Sequence, residues 1–126
     1  MNTRYFALAV ILALLALSAC GGGQDRFEQV GYYKAEGVDA PNRVFSYFVS
    51  DFDDSEGLWA DLQKHAQSRM YSEGGTTLVF YFNDRQHTPD VTQVGSEFPA
   101  SYESDCVAAF WKYATGKEDF RRYPFK

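Results

Sequence analysis

Acidic residues and a histidine directly follow the two segments with the strongest strand character. Arg43–Ser50 and Thr76–Asn83 are rich in aromatic and β-branched residues, which is typical of strands. The polar residues that follow them are Asp51, Asp53, Asp54, Asp84, Arg85 and His87. Clustered carboxylates beside an imidazole can bind a divalent cation or transfer protons. The sequence therefore offers one candidate constellation for chemistry.

These residues share a site only if the two strands run in the same direction. One helix joining them would make them parallel, and their carboxyl ends would then meet at one edge of the sheet, where sites tend to form. The structural alternative is that Asp53 caps the helix while Asp84 and Arg85 are solvated turn residues. An EF-hand is excluded, because its loop needs Gly at the sixth position and Glu56 stands there when Asp51 is the first.

Recognised catalytic and cofactor motifs are missing from the sequence. It has no CxxC, no GxSxG, no SxxK and no glycine run between a strand and a helix that would fit a phosphate loop. We therefore predict no catalytic residue, no cofactor and no metal ligand set, and we expect a non-enzymatic protein. A small hydrolase or metal-binding protein that uses the acidic strand ends is the alternative.

A helix is predicted between the two strands. Asp53 and Glu56 have the spacing of a capping box, and Gly74-Gly75 follows a helix that we expect to run to about Ser72. Its apolar stripe consists of Leu58, Trp59, Leu62, Ala66 and Met70. His65 borders this stripe, and we expect its imidazole to be neutral and hydrogen-bonded there. Arg69 lies closer to the middle of the stripe than is usual for a charged side chain.

The second half of the chain completes the predicted fold. We predict a short strand at Val91–Val94, a helix from Ser101 to Thr115 with Val107 and Phe110 facing inward, and a final strand at Glu118–Tyr123. From Arg43 onward the order is then β-α-β-β-α-β. This order predicts a small α+β ferredoxin-like sandwich, with a sheet of three to five strands and two helices on one face.

The predicted fold leaves one apolar sheet face open. Phe27–Glu36 could form a first strand or a wrapping arm. We expect Tyr47 and Tyr81, with Phe45 and Val79, to lie either under this arm or in a contact between copies of the chain. The two tyrosines are candidate binding residues, because open apolar patches usually bind a partner. A homo-oligomer, a protein or a glycan would each fit such a face.

An apolar run from Tyr5 to Leu17 follows Arg4 and ends at Leu17-Ser18-Ala19-Cys20. This pattern resembles the lipobox signal of bacterial lipoproteins, and the run is shorter than the roughly 20 residues of a membrane-spanning helix. The resemblance implies that residues 1–19 are a cleaved signal peptide and that Cys20 is lipidated. Residues 20–26 would be the lipidated cysteine and a flexible tether, and residues 27–126 a single globular domain.

The resemblance also implies a location. It places the protein in the bacterial cell envelope, held to the membrane by the lipid on Cys20. In a Gram-negative host Gly21 favours the outer membrane, because an Asp there would suggest inner-membrane retention. With Cys20 acylated, Cys106 has no partner in the chain, and its apolar surroundings predict a buried, inert thiol.

The charge and composition of the mature chain limit the kinds of partner that it can bind. Removal of Arg4 with the signal leaves 11 of the 12 basic residues against 17 acidic ones, a net charge of −6. Nucleic acid is therefore excluded as a partner, since its affinity depends on cationic contacts. The mature chain has no Ile and only three Leu, so aromatic residues must supply most of the core. A module that binds a protein or a glycan near the membrane fits these features best.

Overall fold

A computed structural model describes residues 26–35, 42–69, 75–90 and 99–126, and within them it shows a small α+β protein with a five-stranded mixed sheet and two helices. In chain order the elements are β1 (Phe27–Lys34), β2 (Arg43–Val49), α1 (Glu56–Gln67), β3 (Thr77–Phe82), a 3-10 turn (Arg85–His87), α2 (Ala100–Glu103), β4 (Cys106–Lys112) and β5 (Glu118–Arg122). The predicted signal peptide, Cys20 and the predicted strand Val91–Val94 lie outside the described residues.

The strands lie in the sheet in the order β1-β2-β3-β4-β5. β2 and β3 are parallel, and the other three neighbouring pairs are antiparallel. Because α1 connects β2 to β3, these two strands end at the same edge of the sheet, as the sequence predicts. β3 is the central strand, which agrees with the apolar residues on both of its faces.

Helix α1 packs on one face of the sheet and forms the main core with it. The core residues are Phe45, Tyr47, Val49, Leu58, Trp59, Leu62, Ala66, Val79, Tyr81, Val107, Ala108 and Phe110. Five of these twelve side chains are aromatic, which agrees with the expectation of an aromatic core. Burial of each large apolar side chain contributes about 1.5 to 3 kcal/mol, and this contact holds α1 on the sheet.

Of the two alternatives for Phe27–Glu36, the first strand is confirmed for Phe27–Lys34 and the arm over a sheet face is wrong. This segment forms the edge strand β1, which pairs antiparallel with β2 and places Tyr32 opposite Phe45. Pairing satisfies the backbone polar groups that a wrapping arm would leave without partners. Tyr47 and Tyr81 instead lie beneath α1, where their exposed fractions are 2% and 0%. The chain itself therefore covers both tyrosines.

The opposite face of the sheet is also largely apolar. Ser46, Phe82 and Ala109 are fully buried on it, and the Ser46 hydroxyl donates a hydrogen bond to the backbone carbonyl of Pro89. The chain that follows the 3-10 turn therefore reaches this face. Phe48, Leu78, Phe80 and Trp111 are half-buried there.

The predicted helix Ser101–Thr115 was wrong beyond its first turn. Cys106–Lys112 is the strand β4, and α2 covers only Ala100–Glu103. The spacing of the large apolar residues suits a helix, but five consecutive buried residues from Cys106 to Phe110 fit a strand covered on both faces. The described elements therefore do not reproduce the ferredoxin-like order, and β3, β4 and β5 form an antiparallel series instead.

The start of α1 differs by two residues from the prediction. Ser55 is the N-cap, because its Oγ accepts a hydrogen bond of 3.2 Å from the backbone N–H of Leu58. Asp53, the predicted cap, accepts hydrogen bonds from the backbone N–H and the hydroxyl of Ser55. It thus orients the capping residue. The helix ends at Gln67, earlier than the predicted Ser72.

Candidate functional site

The acidic strand ends do lie at one edge of the sheet, but their side chains do not form one cluster. Asp53 pairs with Arg26 at 3.3 Å, and the backbone carbonyl of Asp51 accepts a hydrogen bond from Arg26 as well. The hydrogen bond from Ser55 and the nearby Arg26 lower the pKa of Asp53. Asp54 accepts a 2.7 Å hydrogen bond from the indole N–H of Trp59. These contacts organise the turn before α1.

The side chains of Arg85 and His87 also contact different parts of the protein. The Arg85 Nε atom lies 2.9 Å from a carboxylate oxygen of Glu28 on β1, whereas His87 turns towards the start of β4. Both side chains stand on the 3-10 turn after β3, where Asp84 caps the turn by accepting a hydrogen bond from the backbone N–H of Gln86. Arg85 thus ties the turn to the edge strand.

Asp84, His87 and Asp105 form the one group of three metal-ligating side chains found among the described residues. Their nearest ligand atoms lie within 4.8 Å of one another, and His87 Nδ1 lies 2.5 Å from Asp105 and 3.6 Å from Asp84. The hydrogen bond to Asp105 raises the pKa of His87. Sequence reasoning missed Asp105 because it fell inside the wrongly predicted second helix. The group can hold a proton or a divalent cation at the protein surface.

A groove lies elsewhere, between the edge strand β1 and the end of α1. One cavity of about 230 Å³ is lined by Phe27, Gln29, Tyr47, His65 and Arg69. A second cavity, of about 270 Å³, is lined by Gln29, Tyr32, Arg43, Phe45 and Arg69. Because Gln29 and Arg69 line both, we treat the two cavities as one feature and call it the β1 groove.

Rings form much of the wall of the β1 groove. The Tyr32 ring packs against Phe45 with 4.8 Å between centroids, and Phe27 lies 4.6 Å from the His65 imidazole. Tyr32 is the most exposed of these, with 41% of its surface accessible. The groove therefore offers an aromatic surface to solvent at the edge of the sheet.

A polar network runs along the floor of the β1 groove. The Tyr47 hydroxyl donates to Gln29 Oε1 at 3.1 Å and accepts from an Arg69 Nη atom at 3.2 Å. His65 Nδ1 lies 2.7 Å from the Tyr81 hydroxyl. Burial, with a smaller effect of Arg69, lowers the pKa of His65 to about 4, so the imidazole is neutral at pH 7, as predicted.

Of the predicted site residues, only Tyr47 contributes to the β1 groove. Tyr81 reaches it indirectly through His65, and the five strand-end residues Asp51, Asp53, Asp84, Arg85 and His87 do not line it. One signal for the groove was visible in the sequence, namely the position of Arg69 near the apolar stripe of α1. Gln29 and Arg43 gave none, because their approach to Arg69 depends on the pairing of β1 with β2.

No protein-family model matches the chain, and no curated protein or solved structure is significantly similar to it. Among the described residues, no helix is long and apolar enough to span a membrane.

Proposed function

We propose that the protein is a lipid-anchored protein of the bacterial cell envelope whose domain is a non-enzymatic binding module for a protein or a glycan. The lipobox pattern that ends at Cys20 supports the anchor and the envelope location. The observation that carries the binding role is the β1 groove, with its exposed aromatic wall and its polar floor. Such a combination is what ligand sites generally present.

The position of the groove suits a ligand close to the membrane. Phe27 lines it and stands only seven residues after Cys20. A flexible tether of six residues has a mean reach of about 13 Å, so the anchor would keep this end of the domain near the lipid headgroups. In a Gram-negative host the outer membrane is the proposed location.

The anchor is tested by mass spectrometry of the protein isolated from its own cells. We expect a chain that begins at Cys20 and carries acyl chains on its thiol and amino group. An intact leader, or a mature N-terminus without acyl mass, would contradict the proposed anchor.

Site-specific photocrosslinking in intact cells tests the binding role. A photoreactive residue in place of Tyr32 should capture a partner, because Tyr32 lines the groove. The matched control is the same residue in place of Tyr113, which is 39% exposed after β4 and does not line the groove. Mass spectrometry and glycosidase treatment then identify the captured molecule as protein or glycan. Equal adducts at both positions, or none at either, would count against the groove.

A metal-binding protein or a small metal-assisted hydrolase is the second candidate function. The observation that favours it is the arrangement of Asp84, His87 and Asp105. Calorimetry with Zn²⁺ provides the test: binding that is lost in His87→Gln and retained in His65→Gln would support this function. Absence of binding at millimolar metal would exclude it.

A further inference from the structure

We propose that the β1 groove binds a ring-shaped unit of its partner that carries a carboxylate, and that the guanidinium groups of Arg43 and Arg69 hold this carboxylate. The inference deepens the proposed function, on which it rests for the role of the groove as the ligand site. It adds the chemical class of the ligand and assigns a role to the two arginines.

Most arginines in the described part of the chain already pair with a carboxylate. Four of the six arginines in the described part of the chain form ion pairs with carboxylates, namely Arg26 with Asp53, Arg85 with Glu28, Arg121 with Asp119 and Arg122 with Glu56. Arg43 and Arg69 have no carboxylate partner among the described residues, although the protein has 17 acidic residues. Both line the β1 groove, so no carboxylate of the described residues neutralises its positive charge.

Arg43 and Arg69 also have unsatisfied hydrogen-bond donors. The Nε atoms of Arg43 and Arg69 are buried, and neither has a hydrogen-bond partner in the described structure. A buried donor without a partner is destabilising, and more so when the group is charged. A carboxylate in the groove would supply the missing acceptor once the two guanidinium groups turn their Nε–H towards it. Guanidinium groups present a planar fork of N–H donors that matches an oxyanion in two-point contact.

The walls of the groove indicate the body of the ligand. Tyr32 and Phe45 flank the cavity that both arginines line, and Phe27 and Tyr47 flank the adjoining one. A flat or ring-shaped body can lie against these rings, and Gln29 offers an amide group at the junction. Cavities of about 230 and 270 Å³ are small for ligand sites, which indicates a ligand of about one ring.

A carboxylate fits this environment better than a phosphate does. A singly charged, planar group loses less hydration than a dianion when it enters a site with ring-shaped walls. The overall charge of the protein is negative and would repel anions in general. Binding at the groove therefore requires local contacts with Arg43 and Arg69, which makes the proposal testable with point variants.

Binding is measured by NMR on the full-length chain in a neutral detergent, through the Nε–H signals of the arginines. The probes are glucuronate and benzoate, a sugar acid and an aromatic acid, at constant ionic strength. We expect at least one of them to shift the Arg43 and Arg69 signals and to bind at least about tenfold more tightly than acetate. The stronger of the two identifies which kind of ring the ligand carries.

Variants establish whether the arginines act directly. Arg43→Gln and Arg69→Gln should each weaken binding about tenfold or more, as expected for the loss of a charge-assisted hydrogen bond. Arg69→Lys keeps the charge but loses the fork, and should bind more weakly than the native protein. Arg121→Gln is the matched control, because Arg121 pairs with Asp119 away from the groove, and it should bind normally. Circular dichroism checks that each variant is folded.

Three results would overturn the proposal. They are the absence of any shift with both acids, unchanged binding in the two Gln variants, and tighter binding of inorganic phosphate than of either acid. The neutral analogues methyl glucoside and benzyl alcohol separate this inference from the proposed function. If they bind the groove as well as the acids do, the groove remains a ligand site and the role of the arginines is refuted. If nothing binds and crosslinking at Tyr32 also fails, the proposed binding role falls as well.

Discussion

The Nδ1 atom of His65 on α1 lies 2.7 Å from the hydroxyl of Tyr81 on the central strand. Burial lowers the pKa of His65 to about 4 and raises the pKa of Tyr81. Both groups are therefore neutral over the whole physiological range. This polar contact joins the helix to the sheet directly beside the β1 groove.

The His65 contact predicts a pH dependence of stability. In the unfolded chain His65 takes up a proton near pH 6.5, but in the folded protein only near pH 4. Between these values the unfolded state binds more protons, so the contribution of His65 to the free energy of unfolding is lost as the pH falls from 6.5 to 4. His65→Gln should flatten this part of the profile in urea denaturation experiments.

His87 should have the opposite effect on the pH dependence of stability. The pKa of His87 is raised, so its contribution to stability is present below pH 6.5 and is lost at higher pH, as the pH passes its folded-state pKa. His87→Gln should therefore leave the fall between pH 6.5 and pH 4 in place. An unchanged slope in His65→Gln would contradict the prediction for His65.

The start of α1 gives a prediction about stability at neutral pH. Ser55→Ala removes the acceptor for the backbone N–H of Leu58 and should lower the free energy of unfolding by about 0.5 to 2 kcal/mol, measured by urea denaturation. Ser101→Ala is the control, because Ser101 is exposed and lies within α2 instead of capping it. Equal losses in the two variants would refute the assignment of Ser55 as the cap.

The packing of α1 on the sheet predicts a larger effect. Leu62 is fully buried at the centre of the helix face, and Leu62→Ala should lower the free energy of unfolding by about 2 to 5 kcal/mol. Leu78→Ala is the comparison, since Leu78 is only half-buried on the opposite face of the sheet. Urea denaturation should show the larger loss for Leu62. The reverse order would mean that α1 is not the main cover of the sheet.

β2, β3 and the first helix were predictable because their patterns are local. Alternation marks β2, an unbroken apolar run marks β3, and the stripe from Leu58 to Ala66 marks α1. The parallel direction of β2 and β3 followed from the single helix between them. These features depend on nearest neighbours along the chain, which a sequence shows directly.

The remaining features depend on contacts between distant segments. The run from Cys106 to Phe110 satisfies both helix and strand patterns, and only its place between β3 and β5 decides for a strand. The β1 groove needs the register that sets Gln29 opposite Tyr47, with a shift between Gln29 and Gly31. Asp105 meets His87 only because β4 starts beside the end of β3. No pattern of neighbouring residues in the sequence predicts these contacts.

The interaction of His87 with Asp105 predicts a titration that NMR can follow. Asp105→Asn removes the carboxylate charge from the main hydrogen bond that raises the pKa of His87, and the pKa should fall towards its ordinary value. Asp119→Asn changes a carboxylate that pairs with Arg121 and should leave the His87 titration unchanged. A His87 pKa that does not respond to Asp105→Asn would show that the two side chains are apart in solution.

The burial of Cys106 can be tested by chemical modification of its thiol. The thiol is 1% exposed, and burial raises its pKa to about 12. At pH 8 the thiolate fraction is then about 1,000-fold smaller than for an ordinary thiol, so iodoacetamide should modify Cys106 only after unfolding. Mass spectrometry of a soluble version with Cys20→Ser measures this, with and without urea. In the same background, Cys106→Ala with Ser101→Cys presents an exposed thiol that should react at once. Rapid modification of Cys106 in the folded protein would mean that the face of the sheet opposite α1 opens readily to solvent.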